Sequence, residues 1–173
     1  MTGKANETTK RTPVANRKFK DTVFRMLFSD KEALLSLYNA VNNSHYTDSC
    51  ALEIVTLENA IYMGMKNDLA FILDMNLYLY EHQSTMNPNI PLRDLFYIAA
   101  EYQKLVDKKS LYSSALQKIP NPHFIVFYNG STPIDDCYTS RLSDAFYHVT
   151  DNPSLELIVT TFNVNAGHNT KLM

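Results

Sequence analysis

Segments whose apolar residues recur every three or four positions alternate along the chain with short apolar runs of strand length. Val23, Phe24, Leu27, Phe28, Leu34, Leu35, Tyr38 and Val41 have helical spacing, with a break near Ser29-Asp30 and a stop at Asn42-Asn43-Ser44. Residues 52–57 alternate and are β-branched enough for a strand, and residues 60–65 form a weaker extended candidate. Two apolar runs, 69–73 and 77–80, flank Asp74-Met75-Asn76 and predict a β-hairpin with its loop at Met75-Asn76. Its faces are both apolar, Ala70, Ile72, Leu77 and Leu79 on one and Leu69, Phe71, Leu73, Tyr78 and Tyr80 on the other, as in strands covered on both sides.

After the breaker Asn87-Pro88-Asn89-Ile90-Pro91, the residues Leu92, Leu95, Phe96, Ala99, Tyr102, Gln103 and Val106 trace an amphipathic helix to about Lys108. Residues 122–128, closed by Asn129-Gly130, and residues 155–164 read as strands, with a short helix expected at 141–147 between them. The order is helix, three or four strands, helix, strand, short helix, strand. It predicts a mixed α/β sandwich, with one domain at a length of 173 residues.

Charge qualifies this picture. Residues 1–20 carry six basic side chains and one acid, whereas the rest of the chain has ten basic and seventeen acidic residues. Residues 1–18 are therefore expected to be a flexible basic tail able to touch phosphates, and the body lacks the broad basic face of a protein that grips DNA along its length. No run reaches the length of a membrane span, and the polar start does not resemble a secretory signal. These features, together with two distant cysteines, Cys50 and Cys137, and no CxxC spacing, predict a cytoplasmic protein with structural thiols and no zinc knuckle.

Chemistry concentrates between Lys66 and Thr85. A loop at Met75-Asn76 pairs Asp74 with Leu77, Ala70 with Glu81 and Asp68 with Gln83, so Asp68, Glu81 and Gln83 share one face at the open end of the hairpin. Two carboxylates and an amide oxygen are the ligand types that a hard divalent cation takes. Asp74, the rival acid, stands roughly 13 Å along the strand from Glu81 in this register, too far to share an ion. His82 points to the opposite face and is expected to pack, while His45, His123, His148 and His168 lack ligand spacing. Arg93 is open to two readings, a contact to DNA phosphate or a surface pair with Asp94 or Glu101.

An aspartate, a short hairpin and then Glu81-His82-Gln83 resembles the active-site pattern of the PD-(D/E)XK nucleases, and its glutamine variant resembles the recombination-promoting nuclease and putative transposase family of bacteria. Further similar segments are residues 19–28, Tyr80-Glu81-His82-Gln83-Ser84-Thr85, residues 87–93, Phe124-Ile125-Val126-Phe127-Tyr128-Asn129-Gly130 and residues 163–169, which together span most of the chain. The resemblance implies a restriction-endonuclease-like fold over residues 19–173, a central mixed sheet with a hairpin active site flanked by helices, truncated at the C-terminus. It implies Mg²⁺- or Mn²⁺-dependent hydrolysis of DNA phosphodiester bonds, with Asp68 and Glu81 holding the metal and Gln83 completing the catalytic set. The family pattern usually ends in lysine, so Gln83 can only orient water or offer its amide oxygen, and Lys66 or Lys104 is the candidate substitute ammonium. The other expectation is a nuclease-like module that has lost catalysis and binds DNA or a protein.

Overall fold

The structure, a computed structural model, describes residues 17–55 and 69–172. Helix α1 spans Arg17–Phe28 and α2 spans Lys31–Asn42. The break between them is local chemistry. Asp30 adopts an extended backbone and its carboxylate accepts from the backbone N–H groups of Glu32 and Ala33, capping α2, which ends at Asn43 in the left-handed region. Because α1 begins at Arg17, the last two positions assigned to the tail are helical.

Strand β1 is the two-residue segment Glu53–Ile54, shorter than expected, and the extended candidate at 60–65 lies outside the described residues. Strands β2 (Leu69–Leu73) and β3 (Asn76–Gln83) form the hairpin. Its register differs from the expected one. Leu73 pairs with Asn76, Ala70 with Leu79 and Leu69 with Tyr80, so Asp74-Met75 is the loop and neither Asp74–Leu77 nor Ala70–Glu81 is a pair. The reason lies in the turn, where both Asp74 and Met75 take positive φ, the conformation whose twist matches a two-residue hairpin. A shift of two positions keeps every side chain on its expected face, as a shift of one would not.

Helix α3, Ile90–Leu105, carries the chain back so that β4 (Asn121–Tyr128) can lie parallel to β3. Strand β6 (Ile158–Asn163) is parallel to β4, and β5 (Cys137–Arg141) pairs antiparallel with β6 at the edge. The six-stranded sheet has the order β1-β2-β3-β4-β6-β5. The expected short helix is a 3₁₀ turn, Leu142–Ala145.

Helices cover both faces, giving an α/β sandwich with a mixed open sheet. On one face Phe24, Leu34, Leu35, Leu37 and Tyr38 pack against Phe71, Tyr78, Tyr80, Ile125 and Phe127. On the other, Ile90, Tyr97 and Ile98 of α3 pack against Ala70, Leu77, Leu79, Phe124, Val126 and Val159. The two apolar faces read from the hairpin sequence are those observed. Helix α3 presents a different face from the expected one. Its buried stripe is Ile90, Asp94, Tyr97, Ile98 and Glu101; of the expected stripe Leu95 and Tyr102 are partly buried against this core, while Leu92, Phe96 and Ala99 are exposed. No helix among the described residues is long and apolar enough to cross a membrane.

Candidate functional site

Parallel pairing sets Glu81 beside Val126 and Gln83 beside Tyr128, with Thr161 and Asn163 next in the same two rows. Glu81 therefore stands near the C-terminal ends of β3, β4 and β6, the end of an open α/β sheet where ligands bind. It shares a face with Leu77 and Leu79, beneath α3.

Three side chains converge there. Gln83 Nε2 donates to Glu81 Oε1 at 2.8 Å, and Arg93 Nη2 donates to the same oxygen at 3.2 Å. Glu81 is only 8% exposed. The loop after β3 makes this possible, because Asn87 Oδ1 accepts from the Asn89 N–H and Pro91 fixes the first turn of α3. Arg93 and Asp94 then lie over the end of β3.

Asp94, which the sequence offers only as a surface partner of Arg93, joins this group. It is buried, and its carboxyl is pushed well above the usual carboxylate range, first by burial and then by the charge of Glu81, with Arg93 opposing. Burial works against the charge of Arg93, and Glu81, Tyr97 and Asp94 more than offset it. A signal existed in the sequence: Ile90, Asp94, Tyr97, Ile98 and Glu101 recur at helical spacing, and two acids inside such a stripe mark either a site or a buried pair. Neither surface pairing expected for Arg93 occurs. Its ion-pair partner is Glu81, and Glu101 instead accepts from Lys104 at 3.0 Å. That bond ties Lys104 to the far half of α3, about 16 Å along the helix from Arg93 at 1.5 Å per residue.

Asp68 and Lys66 lie outside the described residues. Asp68 directly precedes Leu69, whose partner Tyr80 directly precedes Glu81. Asp74 sits at the opposite end of the hairpin, where it accepts a hydrogen bond from the Tyr46 hydroxyl. His82 faces α1 and packs against Phe24, and His123 stacks on Tyr78 with its pKa lowered by burial. Cys50 and Cys137 are exposed free thiols. Among the described residues no three His, Cys, Asp or Glu side chains are grouped to hold a metal ion.

The end of the sheet is fixed by asparagines. Asn163 Nδ2 donates to the Ile134 carbonyl, Asn165 Nδ2 donates to the Gly130 carbonyl and to Asn163 Oδ1, and Asn169 Nδ2 donates to the carbonyls of Asp136 and Asn163. Gly130 is wedged in this clasp, where a Cβ would come within 2.5 Å of the Ser84 carbonyl oxygen. Asn129-Gly130 and the 163–169 segment therefore hold the loops that follow β4 and β6 against the residue after Gln83. Comparisons with protein-family models, with curated proteins and with solved structures find no match.

Proposed function

We propose that this chain is a divalent-metal-dependent endodeoxyribonuclease of restriction-endonuclease-like architecture, related to the recombination-promoting nucleases. The observation that carries the reading is the Glu81–Gln83–Arg93 constellation, an acid, an amide and a guanidinium joined through one carboxylate oxygen under α3. The donor set suits Mg²⁺ or Mn²⁺: Glu81 and Asp68 would hold the ion, the Gln83 amide oxygen is a further hard donor, and Asp94 adds a buried carboxyl beside Glu81. Such an ion supplies Lewis acidity at the phosphoryl oxygen and lowers the pKa of a bound water.

The chain's own residues supply positioning. Gln83 orients the attacking water through its amide, and Arg93 meets the phosphate oxygens that flank the scissile bond. The basic residues before Phe19 add sequence-independent attraction to the backbone of DNA. Supercoiled plasmid incubated with the protein should be nicked with Mg²⁺ and left intact in EDTA.

A second reading, a DNA- or protein-binding module without catalysis, is favoured by the hydrogen bond between Gln83 and Glu81, at a position where an ammonium usually stands. Plasmid that is shifted on a gel but never nicked would support it.

A further inference from the structure

Glu81 Oε1 accepts from both Gln83 Nε2 and Arg93 Nη2, so this carboxylate already meets a cation. The Arg93 side chain is 24% exposed and that of Glu81 11%, which makes this a largely desolvated pair rather than a surface one. Asp94 lies in the field of both. Among the described residues, two buried carboxyl groups thus lie in the field of one guanidinium. A guanidinium is a large, weakly hydrated cation with several donors, and only its Nη2 is engaged by Glu81 Oε1 in this bond, so the group can also meet a tetrahedral oxyanion.

We propose that Arg93 is a built-in counter-ion that stands in for the divalent cation, and that it transfers to a DNA phosphate when the metal binds Glu81. This rests on the reading of Glu81 as a metal ligand. Metal and DNA then bind cooperatively by exchange of charge: the metal releases Arg93 from Glu81, the released guanidinium gains a phosphate, and by linkage the phosphate tightens the metal. Without DNA, Arg93 holds the site in a closed state in which metal binding is weak.

The test is isothermal titration with Mn²⁺ alone on the whole chain, comparing the parent with Arg93→Gln, Glu81→Gln and Lys104→Gln. Arg93→Gln should bind Mn²⁺ about tenfold more tightly than the parent, because a competing cation is removed, while Lys104→Gln, which loses a cation elsewhere on α3, should match the parent. Binding of a phosphorothioate duplex should weaken on Arg93→Gln with Mn²⁺ present and change little in EDTA, where Arg93 is held by Glu81. Unchanged or weaker Mn²⁺ binding by Arg93→Gln, with Glu81→Gln weakened, would overturn the counter-ion role and leave Glu81 as a ligand. Parent-like Mn²⁺ binding by Glu81→Gln would instead remove the metal-site reading itself. If Arg93→Gln is unfolded without metal, recovery of its melting transition in Mn²⁺ supports the exchange, and failure to recover contradicts it.

Discussion

Glu81 on β3 and Arg93 on α3 meet at 3.2 Å across a turn of the chain that runs through Asn87-Pro88-Asn89. The pair joins the sheet to the helix that covers it and sets the charge of the candidate site. Removing the guanidinium while leaving two buried carboxyls in place should cost about 3 kcal/mol. That is the low end for a buried pair because Arg93 remains partly exposed. Urea denaturation of Arg93→Gln against the parent measures it, and a loss below about 1 kcal/mol would show that the pair is no more than a surface contact.

Asp94 gives the protein a pH dependence of definite sign. Its folded-state pKa lies above its unfolded value, so the native state holds the proton more strongly. The stability it contributes is complete below about pH 4, the unfolded value, and is lost as pH rises through the raised folded value. Asp94→Asn should therefore flatten the fall of melting temperature with rising pH above about pH 4, and should melt at or above the parent temperature at pH 8. A variant whose pH profile superimposes on that of the parent would place no stability on this carboxyl.

Much of this arrangement was legible in the sequence, and the failures have physical causes. Alternation gave both faces of the hairpin, because burial on both sides leaves no freedom in which residues point where. The pairing was displaced by two positions because Asp74 and Met75 both adopt the left-handed region, a cost that apolar spacing does not reveal. Strand β5 escaped notice since Cys-Tyr-Thr-Ser-Arg lies almost wholly exposed on the sheet edge, with no apolar face to create a pattern. The covering face of α3 was misread because polar residues are buried in it: Asp94 and Glu101 face inward while Leu92 and Phe96 do not. The contact between Glu81 and Gln83 follows from their spacing in one strand, whereas Asp94 belongs to another element and comes near Glu81 only through the fold.

Gly130 should tolerate no side chain. A methyl group there would press on the Tyr128 hydroxyl and on the Ser84 carbonyl, and backbone cannot swing aside as a flexible side chain can. Gly130→Ala is expected to lose about 1–3 kcal/mol, the usual penalty of overpacking, and to displace the segment after Gln83. Thermal melting gives the first effect, and amide hydrogen exchange over residues 81–86 gives the second. Parent-like values for both would show that the clasp is loose.

Asn163, buried among three donors and acceptors of the neighbouring loops, makes the same end of the sheet rigid. Asn163→Ala leaves the Ile134 carbonyl and the Asn165 N–H without these partners and should cost about 2–3 kcal/mol. Asn163→Asp, which keeps the acceptor and loses the donor, should retain the Asn165 contact but not the one to Ile134, and fall between. Chemical denaturation that ranks the three proteins in any other order would contradict the assigned bonds.

Plasmid nicking by Glu81→Gln bears on the proposed role of Glu81 as the metal-binding carboxylate of a nuclease. Glutamine keeps the shape and the carbonyl acceptor for Arg93 and Gln83, so the fold should be retained with a stability loss of at most about 3 kcal/mol from the broken ion pair, while loss of the charge removes the ligand that a divalent cation requires. The parent is expected to nick supercoiled plasmid in Mg²⁺ or Mn²⁺, and Glu81→Gln, still melting cooperatively in EDTA, is expected not to. Nicking by Glu81→Gln at the parent rate, or no nicking by the parent under any divalent metal, would contradict that role.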